Sequence, residues 1–152
     1  MASGGENIEQ DFPGLHGKDW RLTSPWDKRY NCIAWAAGDN TRWWWPMDGS
    51  YWPDVANRVE TVAAFVAAYA SLGFEPCPDA AHEIEFDKIA IFVGLDGIPT
   101  HAARQLSDGQ WTSKLGRSED ITHGLTDICG EAYGSVVQIM RRAKKQITEP
   151  EV

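Results

Sequence analysis

The run Pro99-Thr100-His101-Ala102-Ala103-Arg104-Gln105-Leu106-Ser107-Asp108-Gly109-Gln110-Trp111-Thr112-Ser113-Lys114-Leu115-Gly116 decides how the chain is laid out. Turn residues between two β-compatible stretches predict a hairpin. If Ser107-Asp108-Gly109 is a three-residue loop with Gly109 left-handed, Leu106 pairs with Gln110 and Ala103 lies opposite Ser113. Side chains alternate along a strand, so Ser113 then shares a face with His101 as its diagonal neighbour. A two-residue Asp108-Gly109 loop shifts the pairing by one and puts Thr112 and Lys114 on that face instead. Both loops fit the residues, which leaves open the polar partner of His101.

Upstream, Lys88-Ile89-Ala90-Ile91-Phe92-Val93 is the most apolar run in the chain and predicts a buried strand, with Leu95 to Pro99 as the turn that returns from it. Asn57 and Glu60 have capping-box spacing. Val59, Val62, Ala63, Val66, Tyr69 and Ala70 follow at helical period, so a helix is expected there, closed at Gly73. Pro76, Cys77, Pro78 and Asp79 read as a connector. Downstream, Ser118-Glu119-Asp120-Ile121 has acidic first-turn character and predicts a short helix over Ile121 to Ile128, with His123 in a capping or packing role. Ser135 to Met140 reads as a last strand. The basic run Arg141-Arg142-Ala143-Lys144-Lys145 reads as a solvated tail.

Residues 1–11 are polar and glycine-rich and are expected to form a flexible arm. Phe12, Leu15, Trp20 and Leu22 supply the first contacts with the body. The 152 residues fit one domain, spanning 12–142, with 143–152 as a charged tail. A formal charge of −8 excludes a general attraction for nucleic acid or anionic lipid. No targeting signal is legible at the start, and no apolar run approaches the roughly eighteen residues of a membrane span. Cys32, Cys77 and Cys129 form no CxxC pair, which predicts reduced thiols in a cytoplasmic setting. Close metal-ligand spacing is missing among Cys32, His82, His101 and His123, and no cofactor is implied.

The chemistry centres on Tyr30-Asn31-Cys32-Ile33-Ala34-Trp35-Ala36-Ala37-Gly38. Asn31 is a reasonable N-cap, Ile33, Ala34, Ala36 and Ala37 fit a short buried helix, and Gly38 is a natural terminator. A thiol at a helix start, with an imidazolium nearby, is expected to lose its proton below neutral pH. Cys77, between prolines, is the weaker candidate, and Cys129 is expected to be buried and inert. Between Asp39 and Pro53 lie Trp43, Trp44, Trp45 and Trp52. These tryptophans either plug the edge of the core or line a substrate cleft beside Cys32.

Cysteine at a helix start followed by histidine leading a strand resembles the papain-like superfamily, in particular its NlpC/P60 and CHAP branch. Trp111 to Gly116, Asp120-Ile121-Thr122-His123 and Tyr133-Gly134 are similar, more closely, to a bacterial family of short proteins known as a domain of unknown function. The resemblance implies an α+β fold with N-terminal helices packed on a small antiparallel sheet. It implies Cys32 as nucleophile and His101 as base, with the third position, about a dozen residues after the histidine, falling on Ser113. The oxyanion would be held by the backbone N–H of Cys32 and a side chain such as Tyr30, Asn31 or Gln105. The activity would be acyl transfer to water on a peptide, amide or protein substrate, as a peptidase, amidase or deamidase. The alternative is a domain that has lost catalysis and serves as an interaction or immunity-type module, with the tryptophan loop as its contact surface.

Overall fold

The computed structural model describes residues 4–24, 29–115 and 119–144. In chain order these form helix α1 (Gly4–Asp11), a 3-10 turn (Pro13–Leu15), strand β1 (Arg21–Ser24), helices α2 (Cys32–Ala36) and α3 (Val62–Ala70), and strands β2 (Glu75–Cys77), β3 (Phe86–Val93), β4 (Pro99–Gln105), β5 (Trp111–Lys114) and β6 (Asp120–His123). A 3-10 turn (Leu125–Ile128) and strand β7 (Ser135–Ala143) complete it. All seven strands join one sheet, in the order β1-β6-β5-β4-β3-β7-β2, with every neighbouring pair antiparallel.

That sheet corrects the expected architecture. N-terminal helices were expected to pack on a small antiparallel sheet; instead the fold is β-rich, and the three α-helices of the described residues have eight, five and nine residues. They also divide between the two faces. Short helices cannot bury much surface by themselves, so the sheet carries the core and the helices cover it.

Strand β3 shows why. Ile89 and Ile91 face a cluster built from Ile33, Ala34, Phe65, Tyr69, Trp52, Ala102 and Met140, under α2 and α3. Ala90 and Phe92 face a second cluster with Phe12, Leu15, Trp111, Ile121 and Ile128. Both faces of the strand are covered, so its sequence is apolar without alternation. A fully buried side chain such as Ile89 contributes about 1.5–3 kcal/mol.

The hairpin adopts the three-residue loop. Arg104 pairs with Thr112 and Gln105 with Trp111, Leu106 N–H donates to Gln110 O at 2.7 Å, and Gly109 has a φ of 90°. Ala103 therefore lies across from Ser113.

Several local expectations are corrected. Helix α3 starts at Val62 with Thr61 as N-cap, its side chain accepting from Ala64 N–H, so the Asn57 and Glu60 spacing caps nothing. Residues 120–123 form strand β6, not the start of a helix. Ile121 and Thr122 are β-branched and pair with Ser113 and Thr112 on one side and Leu22 and Arg21 on the other. Gly4 to Asp11 is helical rather than an arm, with Ile8 buried in the second cluster. The region read as a connector contains strand β2, which pairs with β7 and buries Cys77. Arg141 and Arg142 lie within β7, where they meet Glu83 at 2.9 Å and Asp87 at 3.3 Å; Lys145 lies outside the described residues. Among the described residues no helix is long and apolar enough to cross a membrane.

Candidate active site around Cys32 and His101

Cys32 is the first residue of α2. Asn31 caps the helix through its side chain, which accepts from Ala34 N–H at 3.2 Å and from Trp44 N–H at 3.1 Å and donates to Trp44 O at 2.7 Å. One amide thus fixes both the start of the helix and the tryptophan loop. Its amide oxygen accepts twice and its amide nitrogen gives one of two hydrogens to Trp44 O, so the cap is held from both sides. The loop is pinned again by Asp39, which accepts from Thr41, Arg42 and Trp44 Nε1. Burial alone would raise the Asp39 pKa, but those bonds hold its carboxyl well below the usual carboxylate range.

The four tryptophans divide. Trp44 and Trp52 are buried in the core beneath α2 and α3, which removes them from the expected cleft. Trp43 and Trp45 are partly exposed and, with Asn31, Cys32, Met47, Thr100 and Tyr133, line a cavity of about 310 Å³. Among the described residues no charged side chain is in that lining. Cys32 therefore opens onto an aromatic cavity, although the residue itself is only 6% exposed.

The expected standing thiolate is corrected by the same burial. Desolvation pushes the Cys32 thiol up to about 11. The backbone N–H groups of Ala102, Ile33 and Cys32 itself, and the charge of Lys114, favour the ionised form but do not offset it. A five-residue helix also supplies only a weak dipole. At neutral pH the sulfur carries its proton.

His101 lies in β4 beside Phe92 of β3, their rings 5.1 Å apart, and stacks on Tyr133 at 3.9 Å with 9° between the planes. Phe92 belongs to the cluster on the face away from α2, whereas Cys32 and Ala102 belong to the α2 side. Thiol and imidazole thus pack into different cores, and the backbone N–H of Ala102, the residue after His101, is among the groups that favour the ionised sulfur. No hydrogen bond joins the two: His101 Nδ1 is buried and has no hydrogen-bond partner. Burial, and after it the facing His123, push the His101 pKa well below the ordinary histidine value.

His101 Nε2 is 2.8 Å from Ser113 Oγ, the neighbour that the three-residue loop dictates. Ser113 Oγ is also 2.7 Å from His123 Nε2, and His123 Nδ1 is 2.7 Å from the carbonyl oxygen of Gly124. His123 was missed as part of the site because its segment was read as a helix. Strand alternation over 120–123 is the signal that would have found it. Tyr133 was missed as well. It is set by a tight loop in which Gly130 and Gly134 exchange backbone hydrogen bonds and Gly134, with a φ of 76°, sits where a Cβ would strike the Val93 carbonyl.

Two other expected site residues are elsewhere. Gln105 sits at the far end of β4 and donates to Ala80 O and Gly109 O. Tyr30 donates to Asp120 Oδ2 at 2.7 Å and stacks on Trp35. Among the described residues no group of three His, Cys, Asp or Glu side chains is arranged to hold a metal ion.

Fold and site define a class: a β-rich domain with a capped thiol at an aromatic cavity, backed by a histidine-serine-histidine chain. The protein belongs to the family described as Domain of unknown function (DUF7689), whose model matches residues 21–141. No curated protein and no solved structure matches the chain, and nothing in these comparisons ties it to the papain-like superfamily.

Proposed function

We propose that the protein is a thiol hydrolase in which Cys32 attacks an amide or ester carbonyl and His101 handles the proton. The observation that carries this reading is the unsatisfied Nδ1 of His101. It is a buried nitrogen whose ring is held from the other side by Ser113, and the next residue in β4, Ala102, acts on the thiol through its backbone N–H. A buried polar atom left without a partner costs about 1–3 kcal/mol, and a catalytic role is one reason for a fold to keep such an atom.

The resting pair is neutral. Reaction then runs by general-base catalysis: Nδ1 takes the thiol proton as sulfur bonds to the carbonyl carbon, and the protonated ring returns that proton to the leaving amine or alcohol. Water attacks the thioester with His101 again as base, releasing the acid and restoring the thiol. The backbone N–H of Cys32 faces the reacting centre and is the oxyanion donor. The thiol and the imidazole pack on different sides of the sheet, so the proton transfer needs a water to carry the proton between the sulfur and Nδ1.

The test is labelling with a peptidyl vinyl sulfone followed by mass mapping. The adduct is expected on Cys32 and not on Cys77 or Cys129, and His101→Ala, checked for folding by circular dichroism, abolishes it. Equal labelling of the folded variant would overturn the reading. A second reading is a binding module without catalysis, favoured by the protonated thiol and the uncharged wall of Trp43, Trp45 and Met47. It predicts that aromatic ligands bind equally well to Cys32→Ala, with no turnover by the unsubstituted protein.

A further inference from the structure

The chain of contacts behind His101 has a direction. The carbonyl oxygen of Gly124 can only accept, so the Nδ1 that lies 2.7 Å from it carries the proton of neutral His123. Nε2 of His123 is then a bare lone pair, and its partner among the described residues, 2.7 Å away, is the Ser113 hydroxyl, which must donate. Having given its proton to His123, Ser113 Oγ has lone pairs alone to offer His101, 2.8 Å away, so His101 Nε2 bears the hydrogen. The remaining nitrogen, Nδ1, is left as the base.

We infer that His123 is a positioning residue that sets the tautomer of His101 through Ser113. The order runs Gly124 O, His123, Ser113, His101, and each step reverses if the one before it reverses. Burial of both rings and of Ser113 keeps water from supplying a substitute partner. The tautomer itself stands apart from any catalytic role; its consequence for reactivity rests on the thiol hydrolase reading.

The experiment reads the ring nitrogens of His101 by two-bond 1H-15N correlation in the full chain at pH 8. Unsubstituted protein is expected to show one tautomer, Nε2 protonated and Nδ1 bare. In His123→Leu the Ser113 hydroxyl loses its acceptor and turns to donate to His101 Nε2, so the Nδ1-protonated form rises by about tenfold. In His123→Gln the side-chain oxygen again accepts from Ser113, and the original tautomer returns. Circular dichroism separates a variant that fails to fold, and His123→Gln keeps the test available in that case. A protonated Nδ1 in the unsubstituted protein, or an unchanged tautomer in folded His123→Leu, would overturn the inference. Vinyl sulfone labelling of Cys32 is followed in parallel: a tautomer change without a change in labelling rate leaves the relay standing and removes the hydrolase reading instead.

Discussion

Ser113 Oγ lies 2.8 Å from Nε2 of His101, diagonally across the β4-β5 hairpin, and both side chains are fully buried. The hydroxyl is shared with His123, so one small side chain satisfies two rings. Ser113→Ala would strand both Nε2 atoms. A destabilisation of about 1–3 kcal/mol is expected, read as a drop in the urea midpoint at pH 8 with unchanged slope. An unaltered midpoint would mean that the bonds contribute nothing.

Acid should weaken the fold before any carboxylate is protonated. His101 and His123 are both pushed down by burial, so the native state binds fewer protons than the unfolded chain below the ordinary histidine value of 6.5. Stability is complete above about pH 6.5 and falls as pH is lowered from there toward the depressed native values, with a slope approaching about 1.4 kcal/mol per pH unit for each ring. Urea unfolding at pH 7.5 and 5.5 measures this. Replacing His123 with Gln should remove part of the difference.

Alkali should act through Cys32. Its thiol is raised from 9.0 to about 11, so the unfolded chain ionises first and stability is lost as pH rises through that interval. Tyr69 and Tyr133 are also pushed up by burial, so the informative quantity is the difference between the protein and Cys32→Ala. That difference should amount to about 2–3 kcal/mol by pH 11. Alkylation of Cys32 by iodoacetamide is correspondingly expected to be slow at pH 7 and to climb up to pH 10 or above. Fast labelling below pH 7 would contradict the buried, protonated thiol.

Gly134 offers a test of what orients the imidazole. A Cβ built there falls 1.9 Å from the Val93 carbonyl oxygen, at a φ of 76° that side chains avoid. Gly134→Ala should cost more than about 2 kcal/mol in thermal unfolding. It should also shift the His101 ring-proton resonances, because the adjacent Tyr133 ring stacks on that imidazole. Shifts confined to residues near Val93 would detach Tyr133 from the site.

Much of the architecture was readable locally. The hairpin, the β3 run, the Asn31 cap and the glycine at 38, with its φ of 85°, all depend on neighbours in sequence. Strand β6 was not, because acidic residues ahead of an apolar pair look like a helix start until β1 and β5 offer backbone partners on both sides. Arg141 and Arg142 were misread for a similar reason: Glu83 and Asp87, which neutralise them, are more than fifty residues away. The expectation of an ionised Cys32 counted the helix start and left out desolvation, which depends on how deeply the fold buries the sulfur.

Taken alone, the order of residues determined the hairpin and narrowed the partner of His101 to Ser113 or to Thr112 and Lys114, because turn residues and strand alternation are properties of a short segment. The fold then selected the three-residue loop and Ser113. Only the tertiary structure decided which side of the sheet each group serves. It placed the thiol with the α2 core and the imidazole with the opposite one, brought His123 and Tyr133 to the ring, and kept the sulfur protonated. Burial and long-range strand pairing set those outcomes, and both are sums over residues distant in the chain.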